Sequence, residues 1–235
     1  MTPPRALLFD TFGTLVDWRG SLIAELGAFG AERGIAADWT RLVDAWRGAY
    51  VPSMDRVRRG ELPWTKLDDL HRASLDRLVA EQGIEGLHEA DRAHLTLAWH
   101  RLDPWPDTVP GLARVKRRFV LAPLSNGNVS LLIDLARRAL LPWDTVFGAD
   151  VFRRYKPDPQ TYLGACALLG LQPGEVMMCA AHNGDLTAAR GLGLRTGFIA
   201  RPAEYGPAQN RDLAPEADWD VAVGGVEELA DRLGA

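Results

Sequence analysis

Four short segments of this 235-residue chain place reactive side chains where a fold could bring them together. Asp10 ends the apolar run Ala6-Leu7-Leu8-Phe9, Gly13 then allows a tight turn, and Thr14 adds a hydroxyl to the same loop. Ser125 and Asn126 follow the run Phe119–Leu124 and precede a helix. Lys156 stands in Tyr155-Lys156-Pro157-Asp158, ahead of the helix that carries Tyr162. His182, Asn183 and Asp185 follow the run Val176–Ala181. An unbroken apolar run suits a strand buried on both faces of a parallel sheet, and in such sheets ligands gather beyond the carboxyl ends of the strands. Asp10 therefore lies where chemistry is done. A hydroxyl and an amide beside a helix start can hold an anion, although Ser125 would also serve as an N-cap or turn residue. The imidazole of His182 titrates near neutrality and suits the activation of water.

The elements that must position these groups alternate along the chain. Strands are predicted at 6–9, 119–124, 146–148, 176–181, 197–200 and 220–223, with helices between them, which implies an α/β fold with a doubly wound parallel sheet. A helical stretch, about residues 19–102, interrupts this pattern after the first strand. Leu22, Ile23, Leu26 and Phe29 make one apolar face. Asp38 can cap a second helix with the stripe Trp39, Leu42, Val43, Trp46 and Tyr50. Two further helices are expected around 64–79 and 95–102. The predicted domains are an α/β core of residues 1–15 and 104–235 and a helical-bundle insert of residues 16–103. Asp103-Pro104-Trp105-Pro106 is a proline-rich return to the core, a basic helix covers 111–118, and residues 201–218 are expected to be a surface loop. On the second helix Arg47 lies at the edge of the apolar stripe, whereas Arg41 points to the opposite side.

Composition narrows the function further. The chain is 47% hydrophobic and 25% charged, an ordinary balance for a globular protein with an ample core. Its net charge of −4, with no long basic run, argues against a nucleic-acid partner. No apolar stretch approaches the roughly 18 residues of a membrane span, and a secretory signal is not expected at the N-terminus. Cys166 and Cys179 fit neither a metal spacing nor a disulfide framework, so a cytoplasmic location is expected.

The Asp10-x-x-Gly13-Thr14 pattern after a buried strand resembles the first motif of the haloacid dehalogenase superfamily. Ser125-Asn126-Gly127, Lys156 and Asp185 resemble its second, third and fourth motifs, in order and over nearly the whole chain. The residue two after the first aspartate separates the branches. Phosphatases of the superfamily carry a second Asp there; Phe12 can neither donate a proton nor ligate a metal. An aromatic at that place, Ser-Asn-Gly, Tyr-Lys-Pro-Asp and the later Tyr162 resemble the metal-independent (S)-2-haloacid dehalogenases. One departure stands out: Ala180-Ala181-His182 replaces the Ser-Ser-Asn of well-known members and removes two hydroxyls from the water-positioning set.

The resemblance implies a Rossmann-like core with a helical cap that closes over the site, no cofactor and no metal. It implies hydrolysis of short 2-haloacids, haloacetates and fluoroacetate among them, to 2-hydroxy acids. Asp10 would displace halide and form an ester, aided by the loop hydroxyl of Thr14. The Lys156 ammonium would offset negative charge and keep Asp10 ionised. Arg47, in a Trp46-Arg47 pair like the family's cap segment, would take the halide in a pocket shaped by Phe12, Tyr162 and His182. Ser125 and Asn126 would hold the substrate carboxylate. Asp185 would fix Lys156 or, like Asn183 or His182, orient the water. The implied partners are the haloacid and halide ion, with a homodimer also consistent. A phosphatase of small phosphate esters and a non-catalytic binding protein are the alternatives.

Overall fold

The computed structural model describes residues 3–235, which divide into two compact units, Met1–Asp17 with Asp103–Ala235 and Trp18–Leu102. In chain order the first unit begins with β1 (Ala6–Phe9) and β2 (Val16–Asp17). The helical unit follows, with α1 (Trp18–Arg33), α2 (Trp39–Gly48), α3 (Tyr50–Arg58), α4 (Leu67–Glu81) and α5 (Glu89–Thr96), the last running into a 3-10 turn at Leu97–His100. The first unit then resumes with β3 (Asp103–Pro104), α6 (Thr108–Val115), β4 (Val120–Pro123), α7 (Val129–Ala139), α8 (Ala149–Phe152), α9 (Pro159–Leu169), β5 (Val176–Ala180), α10 (Asn183–Gly191), β6 (Arg195–Ile199), β7 (Val221–Val223) and α11 (Val226–Arg232).

In the first unit β1, β4, β5, β6 and β7 form one parallel sheet in the order β4-β1-β5-β6-β7. Numbering only these five, the order is 2-1-3-4-5, a doubly wound arrangement whose ligand site lies where the winding reverses, beside the first strand. All four residues of β1 and all five of β5 are buried, which explains their unbroken apolar sequence. Pro123 is accommodated because β4 is an edge strand. The strand expected at 146–148 is only a single bridge between Leu124 and Phe147, too short to extend the sheet. The basic helix expected at 111–118 starts earlier, at Thr108, and ends at Val115. β2 and β3 pair antiparallel at the points where the chain leaves and re-enters this unit.

The helical unit is held by aromatic packing. Trp18, Trp46 and Trp99 are fully buried; Trp99 stacks on Trp18 and takes the edge of Trp46. The Trp46 indole N–H donates to the His71 carbonyl at 2.9 Å, satisfying the one polar atom its burial would otherwise strand. His71 lies flat on Trp99 with ring centroids 4.2 Å apart, and burial pushes it down to about 3, so its ring is neutral. Asp38 caps α2 by accepting from the Arg41 backbone N–H at 2.9 Å. Arg41 is exposed, while the Arg47 guanidinium lies over the rings of Trp18 and Tyr50, at 5.2 and 4.4 Å.

Candidate active site

Parallel register brings three loops to one edge. Phe9, the last residue of β1, is level with Pro123 of β4 on one side and Cys179 of β5 on the other. Asp10, Leu124-Ser125 and Ala181-His182 therefore leave adjacent strands within a residue or two of each other. The Asp10 backbone N–H still donates to the Cys179 carbonyl at 3.0 Å, so its Cα is fixed by the sheet.

The Asp10 carboxylate is surrounded by donors. Lys156 Nζ donates to Oδ1 at 2.9 Å, and the Thr14 hydroxyl donates to Oδ2 at 2.8 Å. Thr14 Oγ1 accepts in turn from the Ala181 N–H at 2.9 Å, which directs its proton to Asp10. His182 Nδ1 is 3.2 Å from Oδ2. Burial alone would raise the Asp10 pKa; the Lys156 ammonium and the His182 ring overcome it and hold the carboxyl far below the usual carboxylate range. The site therefore keeps an anionic oxygen ready across the neutral range.

Lys156 is 7% exposed and also donates to Asp185 Oδ2 at 2.5 Å. Burial pushes the ammonium toward neutrality, but the two carboxylates outweigh it and hold its pKa above the ordinary lysine value. Asp185 accepts from the Tyr162 hydroxyl at 2.5 Å through its other oxygen. Tyr162 is fully buried on α9, whose first turn is set by the Asp158 cap and Pro159. Its hydroxyl orients Asp185, a contact that the sequence reading did not assign to it. Asn126 is likewise committed: its side-chain oxygen accepts from the Lys156 backbone N–H at 2.7 Å, tying the second loop to the third. The Ser125 hydroxyl accepts from the Gly127 N–H at 3.2 Å, a turn role that leaves its own proton to donate. Phe12 is buried, and the space beside Gly127 is filled by its ring.

Asn183 is where expectation and structure part. Its amide donates to Asp212 and to the Ala214 carbonyl, both at 3.1 Å. Its oxygen accepts from the Glu216 N–H and the Trp219 indole, both at 2.9 Å. The side chain pins the 201–218 loop onto the start of α10, so a water-orienting role does not fit it. That loop is also not merely a surface strap. Arg201 and Glu204 are buried in it; Arg201 grips Asp107 with both guanidinium arms at 2.7 and 2.9 Å and donates to the Thr14 carbonyl. Glu204, 1% exposed, reaches His182 Nε2 at 3.0 Å and fills the space where a side chain on Gly13 would lie. Gly13 is thus required twice, for its φ of +82° and for this close approach.

Among the described residues, no group of three or more His, Cys, Asp or Glu side chains is disposed to hold a metal ion. Lys156 lies between the two carboxylates as a fixed cation. Arg47 belongs to the other unit, where aromatic faces orient it.

A parallel sheet in this order, with an aspartate beyond β1 and a lysine and second acid converging on it, defines a hydrolase that works through a carboxylate. A family model for haloacid dehalogenase-like hydrolases matches residues 4–193, and the chain belongs to that family. Among curated relatives, (S)-2-haloacid dehalogenase 1 of Pseudomonas sp. (strain CBS-3) is 31% identical over 90% of this chain and 92% of its own length. A solved L-2-haloacid dehalogenase is 55% identical, with a TM-score of 0.96 over 98% of this chain and 99% of that one. A solved defluorinating L-2-haloacid dehalogenase is 48% identical, with a TM-score of 0.96 over 99% of this chain and 96% of that one.

Proposed function

We propose that this protein is a hydrolytic (S)-2-haloacid dehalogenase acting on short 2-haloacids. The observation that carries the proposal is the Asp10 carboxylate, kept ionised by Lys156 and His182, with Phe12 at the position of the second acid a phosphatase would need. A buried carboxylate held in place is an effective nucleophile toward carbon because its orientation is already fixed and little water must be shed. Asp10 displaces halide from C2 with inversion and becomes an ester. Water then adds to the Asp10 ester carbonyl and the 2-hydroxy acid departs. Ser125 is the donor for the substrate carboxylate, and Arg47 is the cation assigned to the halide. Asp185, in contact with Lys156, takes the proton of the attacking water.

The similar solved enzyme described as defluorinating supports including carbon–fluorine bonds, and with them fluoroacetate, in the substrate range proposed. Two buried free cysteines suit a reducing cytoplasm, and no helix among the described residues is long and apolar enough to cross a membrane. The test is ion chromatography of halide released from fluoro-, chloro- and bromoacetate and from 2-chloropropionate, beside p-nitrophenyl phosphate hydrolysis. Halide release with inert phosphate ester is the expected result. Phosphate release without halide would return the protein to the phosphatase branch.

A further inference from the structure

His182 faces a carboxylate at each ring nitrogen, Asp10 Oδ2 at 3.2 Å from Nδ1 and Glu204 Oε2 at 3.0 Å from Nε2. A neutral imidazole carries one N–H and would turn a lone pair toward one of these anions. Only the imidazolium donates to both. Glu204 is 1% exposed, and no side chain competes for its place because residue 13 is glycine. A buried acid set behind a histidine, on the side away from the reacting carboxylate, fixes both the ring's orientation and its charge.

The donors around Asp10 are unequal. Oδ2 accepts from the Thr14 hydroxyl at 2.8 Å and faces His182, so both of its lone pairs are engaged. Among the described residues Oδ1 accepts a side-chain hydrogen bond from Lys156, at 2.9 Å, and from no other side chain, which keeps a lone pair for attack. Resting on the dehalogenase reading, we propose that Oδ1 is the attacking oxygen, and that Glu204 is a positioning residue holding His182 as the donor that, with Thr14, receives negative charge on Oδ2 during ester hydrolysis.

The balance is as follows in the second half of the reaction. The oxygen of water bonds to Asp10 Cγ, its proton passes to Asp185, and the Cγ=Oδ2 π pair moves onto Oδ2. The Cγ–Oδ1 bond then breaks as the carbonyl re-forms. Oδ1 leaves on the 2-hydroxy acid and takes a proton from Lys156, which Asp185 restores. The new carboxyl group loses its remaining proton to solvent, so one proton is released per turnover. His182 keeps both its protons throughout and acts as an electrophile, where the sequence alone left open a base.

The groups facing the ring are Asp10 and Glu204; Lys156 and Asp185 lie beyond Asp10, and Arg201, on the Glu204 loop, is engaged by Asp107 and the Thr14 carbonyl. Burial alone would lower the His182 pKa, but the Glu204 carboxylate and Asp10 hold it well above the ordinary histidine value. The experiment is a rapid-quench measurement of 2-chloropropionate turnover, with halide and protein mass followed together from neutral to alkaline pH. In the unaltered enzyme the hydrolysis rate is expected to be level through neutrality and to fall on an alkaline limb. Glu204→Gln should keep a halide burst of one equivalent, accumulate the ester, and move the alkaline limb down by about 1–3 pH units. Glu204→Asp should retain the limb. His182→Asn should slow hydrolysis by about 10²–10³-fold while the burst survives, and it carries the test if the Glu204 variant does not fold. A hydrolysis rate that rises with pH through neutrality would make His182 a base and overturn the proposal. So would Glu204→Gln or His182→Asn hydrolysing the ester at the native rate across that pH range. Failure of the unaltered enzyme to release any halide would instead defeat the dehalogenase reading itself.

Discussion

Replacing Lys156 with methionine removes the charge between two buried carboxylates and keeps nearly the same length of side chain. Lys156 Nζ is 2.9 Å from Asp10 Oδ1. At an effective dielectric near 20, a unit pair at that separation attracts by about 6 kcal/mol. Bringing the ammonium out of water consumes much of this, and breaking a buried pair by deleting one partner costs about 3–5 kcal/mol net. A loss of that size lowers the melting temperature of a chain this long by about 6–20 °C. The pH dependence makes the test specific. In the native protein the Asp10 pKa is depressed, so its contribution is present above the usual value of 3.8 and is lost only as pH falls through the lower folded value. In Lys156→Met the burial penalty on Asp10 is no longer offset by the ammonium, and its carboxyl pKa moves up. A raised acid destabilises at neutral pH and is relieved as pH falls. Urea unfolding from pH 7 to pH 4 should therefore show a gap between the two proteins that narrows toward acid. A gap that stays constant over that range, or one below about 1 kcal/mol at pH 7, would refute the reasoning.

Two further outcomes follow from the site. Dialysis against a chelator should leave halide release unchanged, because the cation between Asp10 and Asp185 is Lys156; restoration by added magnesium of a lost activity would contradict this. Gly13→Ala should cost at least about 1–2 kcal/mol through its positive φ alone, and more through collision with the Glu204 carboxylate. Thermal melts should show Glu204→Ala recovering part of that loss, a coupling between touching residues that independent sites would not give.

How far the sequence speaks follows from what kind of order each residue obeys. Asp10, Thr14, Lys156 and Asp185 are legible because each lies at a fixed short offset from a buried strand or a capped helix, so local pattern alone brings them to one edge. The helical stripe through Trp46 is legible for the same reason. Glu204 and Arg201 are not: they enter the site from a loop rich in proline and alanine, without periodicity, and each meets the first loop, at Gly13 and Thr14, more than 180 residues away in the chain. Asn183 illustrates the reverse. Its position beside His182 suggests chemistry, but the Trp219 indole and the Glu216 N–H draw its amide to the opposite side. The strand expected at 146–148 is absent because only Phe147 pairs, in a single bridge to Leu124.

The central claim is a transient bond between Asp10 and carbon, and the most direct measurement is mass spectrometry of the Asp10 peptide after many turnovers of 2-chloropropionate in oxygen-18 water. Hydrolysis at the ester carbonyl leaves one solvent oxygen in the aspartate each cycle, so repeated turnover should label its carboxylate, and a quenched sample should carry the mass of the ester. An Asp10 peptide free of label after many cycles, with the heavy oxygen found only in the 2-hydroxy acid, would mean that water attacks the substrate directly and would contradict the account.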